Sequence, residues 1–569
     1  MKVVIIGGVA GGATAAARIR RLDETAQIVV FEKSGFISYA NCGLPYYIGG
    51  TINNKAALTL QTPESFYSRF RVDMRVHHEV TAINADNKTV TVTNLRTGEK
   101  FEESYDKLLI STGAKPTTPP FEGINRNNIF TLRTVEDTLK IKDYINTNKP
   151  HTAVVAGGGF IGLETAENLR ELGIDVTIVQ GHSQLMTPFD FDIVPFIHAK
   201  LRQHGINLVL NHMVDGFEEK DGKTFVKLKN VDTISTTNAI SADMVILAIG
   251  VTPDTGLAKN AGISLGMKGS IVVNERMETS LPDIYAVGDA VQIQNFITGD
   301  DTLISLAGPA NKQGRIAADN ICGGNSHYTG GQGSSIIKVF DLTAAATGIN
   351  EHTANEAGIS FDKVILSPMS HAGYYPGGKM MTLKVLFEKE TYRILGAQIV
   401  GYDGVDKRID VLATAIRAGM KAYDLAELDL AYAPPYSSAK DPVNMAGFMI
   451  ENIKNNIVKQ WYYEDVDKLP HDGSVTLLDT RTKGEYAGSH IDGFVNIPVD
   501  ELRERLDELD KTKTVYIICQ SGLRSYIASR ILTGNGFNTY NFAGGFRLYD
   551  AIRNDKTLIE KSTPCGMDC

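Results

Sequence analysis

Cys42 is the first residue whose setting suggests chemistry. It lies within residues 37–45, beside Ser38 and Asn41, ten residues after Glu32. The glycine and proline that follow it constrain the backbone, and we expect the thiol to lie at the start of a helix. A thiol at a helix start, close to polar donors, tends to have a lowered pKa and to react as the thiolate.

Cys519 is the second such residue. It directly follows an apolar run, residues 515–518, and begins the sequence C-x-x-G-x-R-S. A loop from a strand to a helix directs successive backbone N–H groups and a helix dipole at the sulfur. Arg524 would add a positive charge. Because such a cradle stabilises a thiolate or a persulfide, we predict that Cys519 carries sulfur, with Asp479 and His490 upstream as parts of the same pattern.

The segment before Cys42 has the pattern of a dinucleotide-binding unit. It predicts a buried strand at residues 3–6, a glycine turn, a helix that ends near Leu22, and a second strand that ends at Glu32. Backbone N–H groups at such a helix start bind a pyrophosphate, and the carboxylate binds a ribose hydroxyl. Val9 replaces the middle glycine of G-x-G-x-x-G, so this copy alone is weak evidence.

The pattern returns 150 residues later. Gly157, Gly159 and Gly162 form a complete G-x-G-x-x-G between a predicted strand and a predicted helix. Two copies in one chain predict two different dinucleotides held by the same protein. The second copy ends in Gln180 and not in a carboxylate, which leaves the choice between NADH and NADPH open.

Three further segments fit the same architecture. Residues 105–114 and 245–250 read as strands that leave the two units, and residues 279–289 end in an aspartate that suits a flavin ribityl chain. The predicted dinucleotide-binding residues are Gly7, Gly8, Ala10, Gly12, Glu32, Thr112, Gly113, Gly157, Gly159, Gly162, Gly250, Gly288 and Asp289.

Together these segments resemble the FAD/NAD(P) pyridine nucleotide-disulfide oxidoreductase family over roughly residues 1–450. The C-terminal pattern around Cys519 resembles a rhodanese domain. The resemblance implies an α/β fold with two Rossmann-like domains, an α+β dimerisation domain and an α/β rhodanese domain. We expect FAD binding at 1–150 and 245–328, NAD(P) binding at 151–244, dimerisation at 329–450, a linker at 451–473, rhodanese at 474–560 and a cysteine-containing tail at 561–569.

One branch of the family fits the residues around Cys42. Many members carry C-x4-C, but no second cysteine lies near Cys42, so its partner sulfur must come from the substrate. The five residues that end at Cys42 resemble the S-[FY]-x-x-C signature of coenzyme A-disulfide reductases. That branch forms a mixed disulfide between this cysteine and coenzyme A. The resemblance therefore implies FAD, NAD(P)H and coenzyme A, a cytoplasmic homodimer, and a substrate with CoA-linked or inorganic sulfane sulfur.

Thr14, Arg18 and Arg21 are spaced i, i+4, i+7 and share one helix face. Arginine suits phosphate because of its forked donors. A solvated basic face is the alternative, and the resemblance favours coenzyme A. The resemblance also implies that Tyr374 and Tyr432 of the partner subunit are catalytic, since a phenol can donate a proton to a departing thiolate. Further implied substrate contacts are Ser38, Asn41, Arg71, Asn311 and Lys440.

Composition limits the remaining classes. The chain is 43% hydrophobic and 22% charged, and its net charge of -9 gives no general attraction to nucleic acid or anionic membranes. Five cysteines suit a reducing cytosol, and neither a signal peptide nor a membrane-spanning apolar run is expected. Cys565 and Cys569 are either incidental tail thiols or a dithiol that resolves a persulfide on Cys519. Two tail ligands lack partners, so no metal site is predicted.

The predicted function is an NAD(P)H-dependent reductase of CoA disulfide, CoA persulfide or polysulfide, coupled to a rhodanese that carries sulfane sulfur. One alternative is an NADH oxidase or peroxidase that uses a Cys42 sulfenic acid. Such enzymes usually carry a histidine where this chain has Ala10. Another alternative is a redox sensor or sulfur-trafficking protein with little turnover, which would not need a second dinucleotide.

Overall fold

The computed structural model describes residues 1–220, 222–234 and 236–561. The chain forms two compact units. Among the described residues, the first comprises Met1–Ser183 and Gly205–Gln332, and the second comprises Gln184–His204 and residues 333–561. Cys565 and Cys569 lie outside the described residues. None of the described helices is both long and apolar enough to cross a membrane.

Within residues 1–332, strand–helix–strand units of a parallel α/β fold are interrupted by runs of consecutive strands. Up to residue 150 they are β1 (Lys2–Ile6), α1 (Ala10–Leu22), β2 (Gln27–Glu32), α2 (Leu44–Gly49), α3 (Pro63–Phe70), β3 (Asp73–Val76), β4 (His78–Asn84), β5 (Thr89–Asn94), β6 (Lys100–Ser104), β7 (Lys107–Ile110), β8 (Ala114–Pro116), β9 (Ile129–Thr131) and α4 (Val135–Asn148). Then follow β10 (Thr152–Ala156), α5 (Phe160–Glu171), β11 (Asp175–Val179), α6 (Val194–Gln203), β12 (Asn207–Val209), β13 (His212–Lys220), β14 (Lys223–Asn230), β15 (Thr236–Ala242), β16 (Met244–Leu247), β17 (Val251–Pro253), α7 (Gly256–Asn260), β18 (Ile284–Ala286), β19 (Ile293–Gln294), β20 (Asp301–Thr302) and α8 (Ala307–Ile321).

Two five-stranded parallel sheets form the framework of the first unit. Their strand orders are β18-β7-β1-β2-β3 and β12-β11-β10-β16-β9. The central strand β1 is buried and apolar, as expected for a strand covered on both faces. Helix α1 packs on it through small alanines, including Ala15 and Ala16, which are fully buried. The pairing of Ile6 with Phe31 brings the glycine turn after β1 next to Glu32.

Smaller antiparallel sheets complete the first unit. Strands β4-β5-β6 and β13-β14-β15 form two three-stranded sheets, and the pairs β17-β8 and β19-β20 are two-stranded. Both predicted dinucleotide units are confirmed as strand, glycine turn, helix and parallel strand.

The second unit combines an antiparallel sheet with a parallel one. Its elements after residue 332 are β21 (Ser335–Val339), β22 (Leu342–Gly348), α9 (Glu351–Glu356), β23 (Phe361–Leu366), β24 (Thr382–Glu388), β25 (Ile394–Gly401), α10 (Val405–Arg417), α11 (Pro442–Lys454), β26 (Gln460–Trp461), β27 (Thr476–Asp479), α12 (Lys483–Gly488), β28 (Val495–Asn496), β29 (Val515–Ile518), α13 (Leu523–Gly534), β30 (Thr539–Phe542) and α14 (Gly545–Lys561). The antiparallel order is β21-β22-β25-β24-β23, and the parallel order is β26-β30-β29-β27-β28.

The predicted linker, residues 451–473, contains an edge strand of the parallel sheet. Trp461 in β26 pairs with Phe542 of β30 and is 2% exposed. Its indole N–H donates to the carbonyl of Ile517 over 3.2 Å. Because a buried indole with a hydrogen-bond partner is a strong packing anchor, this sheet includes residues before position 474.

A buried ionic cluster holds the segment before α6 onto the antiparallel sheet. Lys384 of β24 is 1% exposed, and its Nζ lies 2.7 Å from Asp192 and 2.9 Å from Asp190. The same ammonium group pairs with Glu351. Three carboxylates this close resemble a metal-binding set, but the lysine occupies the position where a cation would balance them. Removing it would leave the three carboxylates compensated only in part, by Lys363, whose Nζ lies 2.7 Å from Glu351 and 3.8 Å from Asp192.

Candidate functional site

The first glycine turn is shaped by close approach of backbone to backbone. Gly7 has φ +100°, and a methyl group on Gly12 would collide with the carbonyl oxygen of Gly7. The Glu32 carboxylate accepts the N–H of Gly8 at 2.9 Å and that of Ser34 at 2.8 Å. The carboxylate is therefore fixed at the end of β2, beside the start of α1.

The second glycine turn repeats this geometry with an amide. Gly157 has φ +111°, and a methyl group on Gly162 would collide with its carbonyl oxygen. The side-chain oxygen of Gln180 accepts the N–H of Gly158 at 3.0 Å. Gln180 thus takes the structural position of Glu32, although its amide lacks the negative charge that would repel a ribose phosphate.

The two helix starts fit bound dinucleotides. Helix α1 begins after Val9 and helix α5 after Gly159, and neither has a side-chain cap, so their first N–H groups stay available. A methyl group on Gly159 would meet no described atom within 4 Å. Protein packing therefore does not require this glycine, and space remains at the start of α5 for a ligand.

The remaining predicted cofactor residues lie at the carboxyl ends of the strands. Ala10 is the first residue of α1, and Thr112 donates its hydroxyl to the carbonyl of Asp254 at 2.7 Å. Asp289 pairs with Arg133 at 2.5 Å. Gly113, Gly250 and Gly288 all have positive φ, at +67°, +112° and +82°. The dinucleotide roles of these residues stay predictions, and their placement at one end of the parallel strands fits the rule for ligands of open α/β sheets.

Cys42 lies in a short 3₁₀ turn, Asn41–Gly43, immediately before α2. Ser38 donates its backbone N–H to the carbonyl of Gly8 at 2.9 Å, which ties this loop to the first glycine turn. The Asn41 side-chain oxygen is buried and has no hydrogen-bond partner among the described residues. A buried polar oxygen of this kind calls for a hydrogen-bond donor.

The prediction of a lowered pKa for Cys42 is wrong for this fold. The residue is exposed, but surrounding protein atoms desolvate its thiol and raise its pKa, and the Glu164 carboxylate raises it further. Arg133 acts in the opposite direction. The short turn is not a full helix start, and the nearby charge is mainly negative, so neither expected source of thiolate stabilisation dominates.

Sequence reasoning missed Glu164, which lies on α5 two residues after the second glycine turn. Burial and the neighbouring Glu167 raise the pKa of Glu164 to about 7, while a hydrogen bond with Tyr46 lowers it. Glu164 and Glu167 are spaced i, i+3 and therefore share a helix face. That acidic pair on an otherwise buried helix is the signal that could have revealed it.

The predicted phosphate-binding face of α1 is partly engaged by the protein. Thr14 donates its hydroxyl to the side-chain oxygen of Asn311 at 2.5 Å, so two predicted substrate contacts lie together. The Arg18 guanidinium pairs with Asp319 at 2.7 Å. Arg21 lies 5.4 Å from the ring centre of Phe70.

Arg71 has a left-handed backbone with φ +49°, and its guanidinium lies 5.3 Å from the Tyr67 ring centre. The exposed Lys440 follows Ser438, whose hydroxyl donates to the Lys440 carbonyl at 2.6 Å. The substrate-binding roles of both residues stay predictions.

The two predicted catalytic tyrosines meet in the second unit. The hydroxyls of Tyr374 and Tyr432 lie 2.6 Å apart although 58 positions separate them in the chain. Their exposed fractions are 74% and 45%. The hydrogen bond with Tyr374 raises the pKa of Tyr432. In this pair one hydroxyl donates its proton to the other. The second hydroxyl keeps its own O–H, which it can donate to an acceptor outside the pair.

Arg408 of α10 holds both tyrosine loops in place. It is 1% exposed and donates to the carbonyl of Ser370 at 2.9 Å, four positions before Tyr374. It also donates to the Tyr436 carbonyl at 3.3 Å and pairs with Asp441 at 3.0 Å. Because one planar guanidinium contacts both loops, their separation depends on this side chain. Sequence reasoning did not identify it.

Cys519 lies at the end of β29 and is fully buried. Gly522 directs its backbone N–H at the sulfur over 3.1 Å, and the Ser525 hydroxyl lies 3.2 Å from it. Helix α13 starts at Leu523 after Gly522, whose φ is +97°. The predicted strand, loop and helix are therefore confirmed, and two donors converge on the sulfur, as a sulfur anion would require.

Arg524 does not offer its charge freely to Cys519. Its guanidinium forms two 2.7 Å hydrogen bonds with the carboxylate of Glu485, whose pKa it lowers to about 2. Upstream, Asp479 pairs with Arg481 at 2.6 Å. His490 stacks on Tyr486 with ring centres 4.1 Å apart. Asp479 and His490 thus contact neighbouring side chains, Arg481 and Tyr486, in the segment before the Cys519 loop.

Three protein-family models match the chain. Pyridine nucleotide-disulphide oxidoreductase matches residues 1–314, its dimerisation domain matches residues 334–442, and the rhodanese-like domain matches residues 462–551. The chain belongs to the pyridine nucleotide-disulphide oxidoreductase family. It is a flavin-type oxidoreductase with a C-terminal rhodanese-like domain, so the predicted family, enzyme class and α/β fold are confirmed.

Known proteins with similar sequences or structures cover most of the chain. A coenzyme A disulfide reductase of Staphylococcus aureus strain JH9 is 37% identical over 448 residues, which are 79% of this chain and 99% of that protein. The crystal structure of reduced Bacillus anthracis CoADR-RHD is 47% identical with a TM-score of 0.94, covering 97% of this chain and 98% of that one. An NAD-dependent persulfide reductase from A. fulgidus is 38% identical with a TM-score of 0.89, covering 96% and 100%.

Proposed function

We propose that this chain is an NAD(P)H-dependent reductase of coenzyme A disulfide, coenzyme A persulfide or polysulfide, with Cys42 as its single redox thiol. The observation that carries the proposal is the combination of two different sulfur sites in one chain. Cys42 is exposed and has no second cysteine in its segment, whereas Cys519 is buried between two hydrogen-bond donors. The similar S. aureus protein is named for coenzyme A disulfide, and the similar A. fulgidus protein is named for persulfide.

When bound, NAD(P)H and FAD would together supply the electron pair that reduces a disulfide at Cys42. The first glycine turn and Glu32 would hold FAD, and the second turn with Gln180 would hold NAD(P)H. We assign FAD to residues 1–150 and 245–328 and NAD(P)H to residues 151–244. The positive-φ glycines and the uncapped starts of α1 and α5 support this assignment.

Cys42 would react by thiol–disulfide exchange. Its thiolate attacks the coenzyme A sulfur of a persulfide, forms a Cys42–S–S–CoA bond and expels hydrosulfide. Two electrons and one proton then cleave this bond to give the Cys42 thiolate and coenzyme A thiol. With coenzyme A disulfide, the first step expels coenzyme A thiolate instead. Thr14, Asn311 and the α1 arginines would orient the phosphate-bearing part, supported by the Thr14–Asn311 contact.

Tyr374 and Tyr432 would supply the proton for the departing sulfur. Their exposed, mutually hydrogen-bonded hydroxyls suit an acceptor on another subunit. We therefore propose a homodimer in which each tyrosine pair serves the partner's Cys42, and the match to a family dimerisation domain supports it. Cys519 would accept or deliver sulfane sulfur as a persulfide, which Gly522 and Ser525 would stabilise.

The mixed disulfide gives a direct test. The FAD-loaded protein is incubated without oxygen with coenzyme A disulfide, and its peptides are mapped by mass spectrometry. We expect one coenzyme A adduct on Cys42, absent from Cys42→Ser and retained in the control Cys322→Ser. A Cys42 sulfenic acid that forms with NADH and air, with no adduct, would favour the oxidase alternative. Flavin binding with negligible NADH oxidation in the presence of any acceptor would favour the redox-sensor alternative.

A further inference from the structure

A cavity of about 270 Å³ lies in the second unit, and neither Cys42 nor Cys519 lines it. Helix α6, strands β22 and β25, and the start of α14 surround it. The cavity is lined by the apolar side chains of Phe196, Leu342 and Val400 and by Tyr402. Lys200 and Arg547 add two cations to its lining. This combination of apolar walls with a few convergent polar groups is typical of small-molecule pockets.

Arg547 is charged but has no carboxylate partner among the described residues. Within the part of the chain that the structure describes, its guanidinium donates hydrogen bonds to two hydroxyls, that of Thr382 and, at 3.5 Å, that of Ser367. It lies 4.5 Å from the ring centre of Phe196. Burial lowers the pKa of this side chain. Partly buried guanidinium groups usually pair with anions, because desolvation is costly without compensation, so this cation lacks an expected partner.

Lys200 adds a second positive charge to the cavity and does not supply the missing anion. Its ammonium group pairs with Asp341, whose side chain is 66% exposed and thus faces solvent. The Lys200 Nζ also lies 5.2 Å from the ring centre of Tyr402. Among the described residues, the two cations at the cavity therefore have one carboxylate between them, the exposed Asp341, and it pairs with Lys200 and not with Arg547. The excess positive charge next to apolar walls selects an anion with an apolar body.

We propose that this cavity binds a small organic anion, a carboxylate or phosphate ester on an apolar body of about phenyl size. The anionic group would take the unused donors of the Arg547 fork, and the apolar body would lie against Leu342 and Val400. Arginine recognises such anions through paired N–H donors. The cavity is too small for a whole dinucleotide, so the ligand differs in class from the FAD and NAD(P)H that the first unit would hold.

The ligand site adjoins the sulfur-transfer loop through the backbone. The N–H of Arg547 donates to the carbonyl of Gln520 at 3.1 Å, and the N–H of Phe546 donates to that of Cys519 at 2.7 Å. The residue that would hold the anion is thus also fixed to the loop that contains Cys519.

Phenyl phosphate is the probe, titrated into full-length FAD-loaded protein by calorimetry. We expect saturable binding that falls at least tenfold in Arg547→Gln and is unchanged in Arg553→Gln, an α14 arginine that pairs with Asp550. Arg547→Lys keeps a charge but loses the fork, so its binding should be intermediate. Benzyl alcohol, which lacks the anion, should not bind detectably.

A second variant keeps the test decisive if Arg547→Gln does not fold. Ala199 lines the cavity, and Ala199→Phe would fill it while leaving both cations in place, so we expect the same loss of binding. Phosphate-binding surfaces elsewhere on the chain are untouched by either change. Equal binding of phenyl phosphate to wild type, Arg547→Gln and Ala199→Phe would overturn the proposal. Inorganic phosphate that binds as tightly as phenyl phosphate would overturn the apolar part of the ligand.

Discussion

Ser525→Ala is the substitution that most directly tests the sulfur site in the parallel sheet. Both Ser525 and Cys519 are fully buried, and the hydroxyl lies 3.2 Å from the sulfur and 3.1 Å from the Gly522 carbonyl. A serine has one O–H proton, so the hydroxyl can serve only one of these acceptors at a time. A negatively charged sulfur would attract that proton more strongly than the carbonyl does.

The expected magnitude follows from that geometry. A hydrogen bond to a charged group contributes about 1.5–3 kcal/mol. The Gly522 N–H remains in the variant, so one of two donors is lost. Since each 1.36 kcal/mol changes a rate about tenfold, we expect sulfur transfer from Cys519 to slow about ten- to a hundredfold. The variant should stay folded because the deleted hydroxyl leaves a space smaller than a methyl group.

The assay is transfer of sulfane sulfur from thiosulfate to cyanide, measured at fixed pH on the full chain. Ser529→Ala is the matched control. Ser529 is also buried on α13, but its hydroxyl pairs with Thr539 at 2.7 Å and not with the sulfur. We expect the control to lose some stability and retain its transfer rate. A Ser525→Ala rate within twofold of wild type, or an equal loss in Ser529→Ala, would refute the proposed role of the hydroxyl.

Three further predictions concern groups that the structure places around the thiol, the tyrosines and the ionic cluster. Glu164→Gln removes a carboxylate that raises the pKa of Cys42, so we expect that pKa to fall. The gain in alkylation should be largest above pH 7, where the carboxylate with its pKa of about 7 is ionised. Arg408→Lys loses the forked contacts to both tyrosine loops, and a displacement of about 1 Å can slow turnover about a hundredfold without changing the flavin spectrum. Lys384→Met leaves the carboxylates of the cluster compensated only in part, by Lys363, and should reduce the free energy of unfolding by about 3–5 kcal/mol in urea titrations.

Each of these predictions has a control and a contradicting result. Glu171→Gln, at the end of α5, is the control for Glu164→Gln and should leave the alkylation profile of Cys42 unchanged. A higher Cys42 pKa in Glu164→Gln would contradict the predicted fall. Arg417→Lys, at the end of α10, is the control for Arg408→Lys and should retain activity. Full activity in Arg408→Lys would contradict the predicted loss of turnover. Lys389 is exposed, and Lys389→Met, the control for Lys384→Met, should change the free energy of unfolding by less than about 0.5 kcal/mol. A stable Lys384→Met would show that the cluster tolerates its loss.

Local patterns predicted the nucleotide and sulfur loops because each depends on residues close in the chain. A buried strand, a tight glycine turn and a helix follow one another within about twenty residues, and β29, Cys519 and α13 do the same within 515–534. The tyrosine pair came from family resemblance, and the structure places the two hydroxyls together. Sequence spacing alone could not have joined positions so far apart.

The missed residues act through contacts that sequence spacing does not reveal. Arg408 reaches Ser370, 38 positions before it, and Asp441, 33 positions after it. In the sequence, Lys384 reads as an ordinary polar residue of a strand, yet β24 is buried on both faces. The raised pKa of Cys42 has the same origin, because Glu164 comes from a helix that begins more than a hundred positions later.

The central claim is that Cys42 reduces sulfane or disulfide sulfur with electrons from NAD(P)H. Its most direct test is anaerobic NADH oxidation by the FAD-loaded protein offered coenzyme A persulfide, comparing wild type, Cys42→Ser and Cys519→Ser. We predict rapid turnover in wild type and its loss in Cys42→Ser, with Cys519→Ser reporting whether sulfur transfer is coupled to reduction. No anaerobic turnover in wild type, together with brisk NADH loss in air, would contradict the account.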